Sequence, residues 1–302
     1  MTAPALQETA VDVLRQWASG ETPAGIAQMR LIVLTPADAE PEPFLAAAVA
    51  ARAKDAAEAE ALAWLARQAA SDTKAWARVR ATAAAIPHDE APSGSPAEEV
   101  ERLAARFDAA ARISPEASVA LYSLGDPARL DAATAEIAGW LRDKDLLGQG
   151  KSVLDLGCGI GRMARALAPD VGRVVGCDIS EEMVRVARTR SADLPNAEFR
   201  RTSGLDLAGF GDASFDLVLV VDVFPYLVAA GGDLAGRHVA EAARVLKPGG
   251  ALAILNFSYR GTPERDAAEL SAWAGRAGLK LVEGGTKPFQ EWDGTAFRLV
   301  KP

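Results

Sequence analysis

From Lys151 onward, short apolar runs alternate with stretches of helical periodicity. The runs cover 152–156, 173–178, 197–201, 216–222, 251–257, 279–283 and 296–300. This alternation predicts βαβ units that build a mostly parallel sheet with helices on both faces. No helix-length segment separates the last two runs, which allows the last strand to run antiparallel.

The first 150 residues are crowded with alanine and have almost no β-branched runs, so this half is expected to be helical. The predicted helices cover 5–18, 23–34, 43–70, 72–86, 97–113 and 127–147. The segment IPHDEAPSGSP, from Ile86 to Pro96, is typical of a linker. We therefore predict an all-α domain over 1–86, a linker over 87–96 and a third unit over 97–302. In that unit, helices over 97–150 precede the sheet core over 151–302.

Charge and cysteine content narrow the class of protein. The 302 residues include 33 basic and 41 acidic ones, and the net charge of −8 disfavours binding to nucleic acid or to an anionic membrane. We expect no signal peptide and no transmembrane span, because no apolar stretch has the required form. Cys158 and Cys177 show no CxxC spacing, which argues against a disulfide scaffold or a zinc module. A reducing cytoplasm is the expected location.

The segment VLDLGCGIG at 153–161 combines an apolar strand, an acidic residue and glycines at 157, 159 and 161. Glycines are needed where a ligand approaches the main chain and where a turn is tight. The GxGxG spacing differs from the GxGxxG of dinucleotide sites, so pyrophosphate binding is less favoured. The alternative is a tight strand-to-helix connection without a ligand.

A second candidate ligand group follows the second predicted strand. Asp178 ends this strand, a position from which a carboxylate accepts hydrogen bonds from both hydroxyls of a ribose. Ser180 is expected to cap the next helix, whose first turn carries Glu181 and Glu182. The two features together favour a nucleoside-containing ligand.

Four motifs in order, VLDLGCGIG, GCDIS, SFDLV and LKPGG, resemble those of the class I S-adenosylmethionine-dependent methyltransferases. The branch that includes quinone-biosynthesis and many small-molecule enzymes is the most similar, and the resemblance covers about 150–300. It implies a Rossmann-like, seven-stranded, mostly parallel sheet, here preceded by the all-α domain. It also implies S-adenosylmethionine as cofactor and S-adenosylhomocysteine as product.

Carried over by position, the resemblance implies the following cofactor-binding residues: Asp155, Gly157, Cys158, Gly159, Arg162, Asp178, Ile179, Met183, Ser203, Gly204, Leu205, Asp222, Val223 and Phe224. Asp155 and the glycine turn would line the methionine part, Asp178 would hold the ribose, and Ile179 would pack on the adenine with Met183. Ser203 stands where relatives commonly carry an aspartate, so the main chain of the next two residues is the alternative adenine contact.

The remaining cofactor contacts concern the reactive end. Asp222, Val223 and Phe224 would lie near the sulfonium. Arg162 either reaches the methionine carboxylate or is a solvated residue of the first helical turn.

Three residues are candidates for catalysis: Tyr226, Tyr122 and His238. Tyr226 follows the fourth strand, where relatives often carry a histidine, and packing is the equal alternative. Tyr122 precedes the sheet, where relatives place a residue that closes over the cofactor, and core packing is its alternative. For His238 a packing role on a helix face is favoured over that of a base. The substrate cavity is predicted to be lined by both tyrosines, Phe224 and Asn256.

Absent motifs exclude several subclasses. The sequence DVFPY replaces the [DN]PP[YFW] of amino-methylating enzymes, and Asn256-Phe257 fails the metal-binding pattern of catechol-type enzymes, so no metal is expected. The hypothesis is methyl transfer to an O, N or C atom of a small molecule, with the N-terminal helices as a lid or a homodimer interface. The alternatives are a binding or regulatory protein with this fold, its helical domain engaging a protein partner, or a non-methylating enzyme that uses the sulfonium. His88, in the linker, is expected to be solvated.

Overall fold

The computed structural model describes residues 3–87 and 94–302 of the chain. Eight helices in this part precede the sheet: α1 (Ala3–Ala18), α2 (Ala24–Leu34), α3 (Pro41–Arg52), α4 (Ala56–Ser71), α5 (Thr73–Ala85), α6 (Pro96–Ile113), α7 (Pro115–Val119) and α8 (Pro127–Asp143). The strands are β1 (Gly148–Leu156), β2 (Val171–Asp178), β3 (Ala197–Arg201), β4 (Phe215–Val221), β5 (Leu246–Asn256), β6 (Lys280–Thr286) and β7 (Thr295–Val300). The helices among them are α9 (Arg162–Leu167), α10 (Glu181–Arg190), α11 (Phe224–Ala229), α12 (Leu234–Val245) and α13 (Pro263–Ala277).

The seven strands form one sheet in the order β3-β2-β1-β4-β5-β7-β6. Strands β1 to β5 pair in parallel, and β7 runs antiparallel to both β5 and β6. The predicted seven-stranded α/β fold and its antiparallel last strand are confirmed. The strand order reverses between β1 and β4, which is where open sheets of this type bind ligands at their carboxyl ends.

Successive side chains of the central strands point to opposite faces of the sheet, and each face packs against a separate hydrophobic core. Val153 and Leu217 face the core that also contains the buried residues of α8, α9 and α10. Their neighbours Leu154 and Val218 face the core shared with α12 and α13. The strands are therefore buried on both faces, as continuous apolar runs predict.

The prediction of one helix over 43–70 is wrong, because the structure has two helices there. Ala53 adopts an extended conformation and ends α3. Asp55 then caps α4, its side chain accepting a hydrogen bond of 2.8 Å from the Glu58 main-chain N–H. A short polar side chain that caps a helix in this way favours a new start over continuation. The helix predicted over 127–147 also ends early, at Asp143, since Asp145 is in the left-handed region.

Helices α1 to α5 share a core, and this core continues into the segment before α8 through Leu124. Ile26 of α2 belongs to the sheet-side core. Gly25 packs so closely that a Cβ there would lie 2.6 Å from the Tyr122 carbonyl oxygen. The N-terminal helices thus contact the part of the chain that leads into the sheet.

The predicted domain boundary stays a prediction, because His88 and most of the proposed linker lie outside the described residues. Within the described ranges, none of the helices combines the length and the apolar character that a bilayer crossing requires.

Candidate functional site

The glycine turn between β1 and α9 needs its glycines. Gly157, Gly159 and Gly161 have φ values of +72°, +51° and +79°, in the left-handed region that side chains disfavour. A Cβ on Gly157 would lie 2.1 Å from the Val223 side chain. The main-chain N–H of Gly157 also donates to the Cys177 carbonyl at 2.7 Å, which ties the turn to β2. The turn therefore presents bare main chain at the carboxyl edge of the sheet.

Gly157→Ala is expected to lower the free energy of unfolding by about 2–4 kcal/mol, from left-handed strain and from the clash with Val223. Gly249→Ala is the matched control, because Gly249 has φ +77° and nothing within 4 Å of a built Cβ. It should cost only the strain, about 1–2 kcal/mol. Urea unfolding measures both, and adding Val223→Ala to the first variant should recover the difference. Equal losses in the two single variants would show that close packing at Gly157 is unimportant.

Asp178 ends β2 beside this turn. Its Oδ2 accepts a hydrogen bond from the Gly159 N–H and its Oδ1 one from the Ser180 N–H, both at 2.9 Å. The Ser180 hydroxyl in turn caps α10 by accepting from the Met183 N–H. Burial raises the pKa of Asp178, while these N–H groups oppose the shift. The carboxylate is held in one orientation with lone pairs left for hydroxyl donors.

One cavity of about 950 Å³ lies at the carboxyl ends of β1, β2 and β4. Eleven of the predicted cofactor residues line it: Asp155, Gly157, Cys158, Gly159, Arg162, Asp178, Ile179, Met183, Gly204, Asp222 and Val223. The three catalytic candidates, Tyr122, Tyr226 and His238, line it too. The structure thus brings together most of the residues that the sequence singled out.

Phe224 and Asn256 are not among the lining residues, so their predicted positions in the cavity are wrong. Phe224 begins α11 and points into the core on the other face of the sheet, with its ring centroid 5.8 Å from that of Trp273. Asn256 is fully buried and donates its Nδ2 to the Phe257 carbonyl. Phe257, the next residue, lines the cavity instead.

The adenine end needs a similar correction. Ser203 is exposed and does not line the cavity; its hydroxyl accepts a hydrogen bond from the Leu205 N–H at 3.3 Å. Leu205 is not a lining residue either. Thr202 and Gly204 line the cavity at this point. A Cβ on Gly204 would lie 2.5 Å from the Ile179 side chain, so the main chain closes against that residue.

Asp155 and Arg162 are the charged groups beside the glycine turn. Asp155 is only 2% exposed, and its Oδ2 has no hydrogen-bond partner in the described part of the chain. Burial raises the pKa of Asp155 to about 7, with Arg162 opposing the shift. The guanidinium of Arg162 points inward, donating to the Thr134 hydroxyl at 3.1 Å. The hypothesis that Arg162 is a solvated first-turn residue is therefore wrong.

Both tyrosines are aromatic walls of the cavity, Tyr122 buried and Tyr226 half-buried. Tyr122 stacks on Trp292 with ring centroids 6.2 Å apart, and Tyr226 meets Phe107 edge-on at 5.2 Å. Burial raises the pKa of Tyr122 to about 12 and also raises that of Tyr226. Both phenols are therefore protonated at neutral pH and can donate hydrogen bonds.

His238 lies on α12 with 3% of its surface exposed. Its Nδ1 is 2.9 Å from the Leu234 carbonyl oxygen, so this nitrogen carries the proton. Burial lowers the pKa of His238, which keeps the ring neutral. The ring is held by its own helix while one edge faces the cavity, and its role in catalysis stays a prediction.

Sequence reasoning proposed the N-terminal helices as a lid but missed the loop between β6 and β7 and the individual residues of α1 and α2 that line the cavity. Trp292 and Asp293 from this loop and Arg30 from α2 all line the cavity. Arg30 and Asp293 form an ion pair at 2.7 Å across 263 positions of sequence. One signal was available: an antiparallel last strand starts at the edge where the parallel strands end, so the loop before it must reach the site.

The cavity is lined by the glycine turn, by Asp178, whose carboxylate is placed to accept hydrogen bonds from a ribose, and by apolar side chains. The sequence model of one family, described as a methyltransferase domain, matches residues 154–254. The chain carries a methyltransferase domain. The resemblance drawn from the four sequence motifs is thereby confirmed for this domain.

Three curated relatives are similar to part of this chain. A demethylmenaquinone methyltransferase of Tropheryma whipplei (strain Twist) is 40% identical over 36% of this chain and 43% of its own. A 2-methyl-6-phytyl-1,4-hydroquinone methyltransferase of Synechocystis sp. is 38% identical over 38% of this chain and 35% of its own. A ubiquinone biosynthesis O-methyltransferase of Xanthomonas oryzae pv. oryzae (strain PXO99A) is 29% identical over 55% of this chain and 74% of its own. The chain spans less than half the length of the first two.

Proposed function

We propose that this protein transfers the methyl group of S-adenosylmethionine to an O, N or C atom of a small molecule by in-line displacement. The observation that carries the proposal is that the glycine turn, Asp178 and an apolar compartment open into one cavity. A sheet connection without a ligand needs neither a carboxylate fixed beside the turn by two N–H groups nor an adjoining cavity. The site and not the fold indicates the function, because folds of this type host many activities.

The residues present fit the cofactor. Asp155 has a buried oxygen without a partner in the described residues, which suits the methionine ammonium, and Arg162 would hold the carboxylate. Asp178 would hold the ribose, with the adenine against Ile179 and Met183. When bound, S-adenosylmethionine supplies a methyl group on a cationic sulfur that is already a good leaving group. The protein's task is then alignment and exclusion of water, and positioning supplies up to about 7–11 kcal/mol of the barrier.

The apolar side chains that the N-terminal helices contribute to the cavity indicate the chemical class of the acceptor. Val13, Ile26, Val33, Leu34 and other apolar side chains of α1 and α2 form the outer wall of the cavity, which supports their role as a lid. The relatives named above act, by their names, on ring compounds of quinone metabolism. We infer a hydroxylated ring as acceptor, held near the two tyrosines, with an aliphatic substituent extending between these helices.

Val33→Trp tests the outer wall. Val33 is 57% exposed and lines the cavity, so a larger side chain there obstructs the outer compartment. KM for an acceptor with a long aliphatic substituent should rise about tenfold, since each buried CH₂ is worth about 0.8 kcal/mol. KM for the same ring without the substituent should not change. Val282→Trp, on β6 outside the cavity, is the control, and equal KM values for both variants would contradict the proposed wall.

The proposed function is tested by binding and transfer together. Calorimetry with S-adenosylmethionine and S-adenosylhomocysteine should show one site per chain. Incubation with quinol-type acceptors should then give S-adenosylhomocysteine and methylated acceptor in equal amounts. Binding without methyl transfer to any acceptor would favour the regulatory alternative, and loss of S-adenosylmethionine without a methylated product would favour other sulfonium chemistry. A homodimer and a cytoplasmic location stay predictions.

A further inference from the structure

Asp222 directly follows β4 and lies beside the glycine turn. β4 pairs in parallel with β1, and Val223 fills the space above Gly157. Asp222 has φ +56°, a left-handed conformation that is uncommon outside glycine, and its N–H donates to the Leu255 carbonyl at 2.8 Å. Strained backbone of this kind is found where a side chain is aimed at a ligand. The conformation places Asp222 in the wall of the cavity.

The Asp222 carboxyl has an unused acceptor. Its Oδ1 is buried and has no hydrogen-bond partner among the described residues. Arg162 of α9 and Asp293 of the β6–β7 loop interact electrostatically with the Asp222 carboxyl. The charge of Asp222 in turn raises the pKa of Tyr122 and of Tyr226. Burial and Asp293 raise the pKa of Asp222 to about 7, and Arg162 opposes them. A buried oxygen without a donor is costly unless a ligand supplies one.

Building on the proposed function, we propose that Asp222 Oδ1 takes the proton that the acceptor loses on methylation. The acceptor is therefore a molecule whose nucleophilic atom carries a hydrogen. The bond from this atom to hydrogen breaks and the proton moves to Oδ1. The freed electron pair forms the bond to the methyl carbon, and the pair of the broken methyl–sulfur bond stays on sulfur. Asp222 later releases the proton to water.

The other titratable groups of the cavity are less suited to this step. Both tyrosines keep their phenolic proton at neutral pH, so neither can act as the base. The Nδ1 of His238 donates to the Leu234 carbonyl, so only its Nε2 could take a proton, and burial lowers the pKa of His238, which makes the ring a weak base. Asp155 also has an unpartnered oxygen, but the proposed function assigns this oxygen to the methionine ammonium. Asp222 is the remaining carboxyl with a buried, unpartnered oxygen that lines the cavity in the described ranges.

Asp222→Asn tests the proposal with little risk to folding, because asparagine tolerates the left-handed region. We expect kcat at neutral pH to fall about a hundredfold, within the usual range for loss of a general base. The rate of the variant should rise with pH as the acceptor ionises by itself. Binding of S-adenosylhomocysteine should not change. Asp233→Asn is the control, since Asp233 also has φ +56° and does not line the cavity.

A stability measurement reports on Asp222 without any substrate. The folded protein keeps the proton on Asp222 up to about pH 7, whereas the unfolded chain loses it near pH 4. Folded chains thus bind one more proton between these values, so the contribution of Asp222 to stability falls as pH rises from about 4 to about 7. The fall in the urea midpoint should be smaller in Asp222→Asn than in the wild type or in Asp233→Asn.

Two results would overturn the proposal. One is an unchanged kcat in Asp222→Asn with weaker binding of S-adenosylmethionine but not of S-adenosylhomocysteine, which would make Asp222 a counter-ion of the sulfonium. The other is a pH dependence of stability that is the same with and without the Asp222 carboxyl. If the wild type binds no S-adenosylmethionine at all, the proposed function fails, while the stability measurement still decides whether Asp222 titrates near neutral pH.

Discussion

Replacing Asp178 with alanine is expected to weaken the binding of S-adenosylmethionine at least about a hundredfold. Two ribose hydroxyls would donate to this carboxylate, and a hydrogen bond to a charged group contributes about 1.5–3 kcal/mol. Their joint loss exceeds about 2.7 kcal/mol, which corresponds to a hundredfold change in Kd. The carboxylate is also fixed in place by the N–H groups of Gly159 and Ser180, so the site is preorganised for the ribose. Calorimetry measures the change.

Two further variants separate binding from folding. Asp178→Asn keeps the size of the side chain and one acceptor oxygen, so it should lose affinity but less than the alanine variant. Asp193→Ala removes a carboxyl that is 66% exposed and pairs with Arg165 on the surface, so its affinity should match the wild type. Urea unfolding checks that each variant is folded. Wild-type affinity in folded Asp178→Ala would remove Asp178 from the proposed site.

Replacing Trp292 with alanine is expected to lower the free energy of unfolding by about 3–5 kcal/mol, the usual cost of deleting a large buried side chain. Trp292 is 2% exposed and lies between Phe289 and Tyr122, with ring centroids 5.2 and 6.2 Å away. Gly294 packs under the indole, where a Cβ would come within 2.4 Å of the ring. The loop before β7 therefore depends on this side chain.

Trp64→Ala is the matched control, because Trp64 is 55% exposed on α4. It should change the free energy of unfolding by less than about 1 kcal/mol, as expected of a surface position. Denaturant unfolding of both variants gives the comparison. Similar values for the two tryptophans would mean that the β6–β7 loop does not pack on the cavity as the structure has it. KM for the acceptor should rise only in Trp292→Ala, since Trp292 lines the cavity.

The sheet could be predicted because its signals are local. Apolar runs with turn residues between them fix strands, and the glycines at 157, 159 and 161 fix a left-handed turn wherever the rest of the chain lies. Asp178 was found because an acidic residue at the end of β2 sits beside that turn in any fold of this type. These features need no knowledge of distant contacts.

The acceptor side of the site could not be predicted in this way. Arg30 meets Asp293 only because α2 packs on the segment that contains Tyr122, and no periodicity of either segment shows this. Phe224 was misplaced because the chain turns into α11 at that residue and carries the ring to the other face of the sheet. The walls of the outer cavity are set by tertiary packing, and sequence pattern constrains that least.

Cofactor and acceptor are expected to meet in the cavity beside the glycine turn, and a crystal structure of the intact protein with S-adenosylhomocysteine tests this most directly. We expect the ribose hydroxyls on Asp178, the adenine against Ile179, and the sulfur facing Asp222 with open cavity toward Tyr122 and Tyr226. S-adenosylhomocysteine bound elsewhere, or with its sulfur turned away from Asp222, would contradict it.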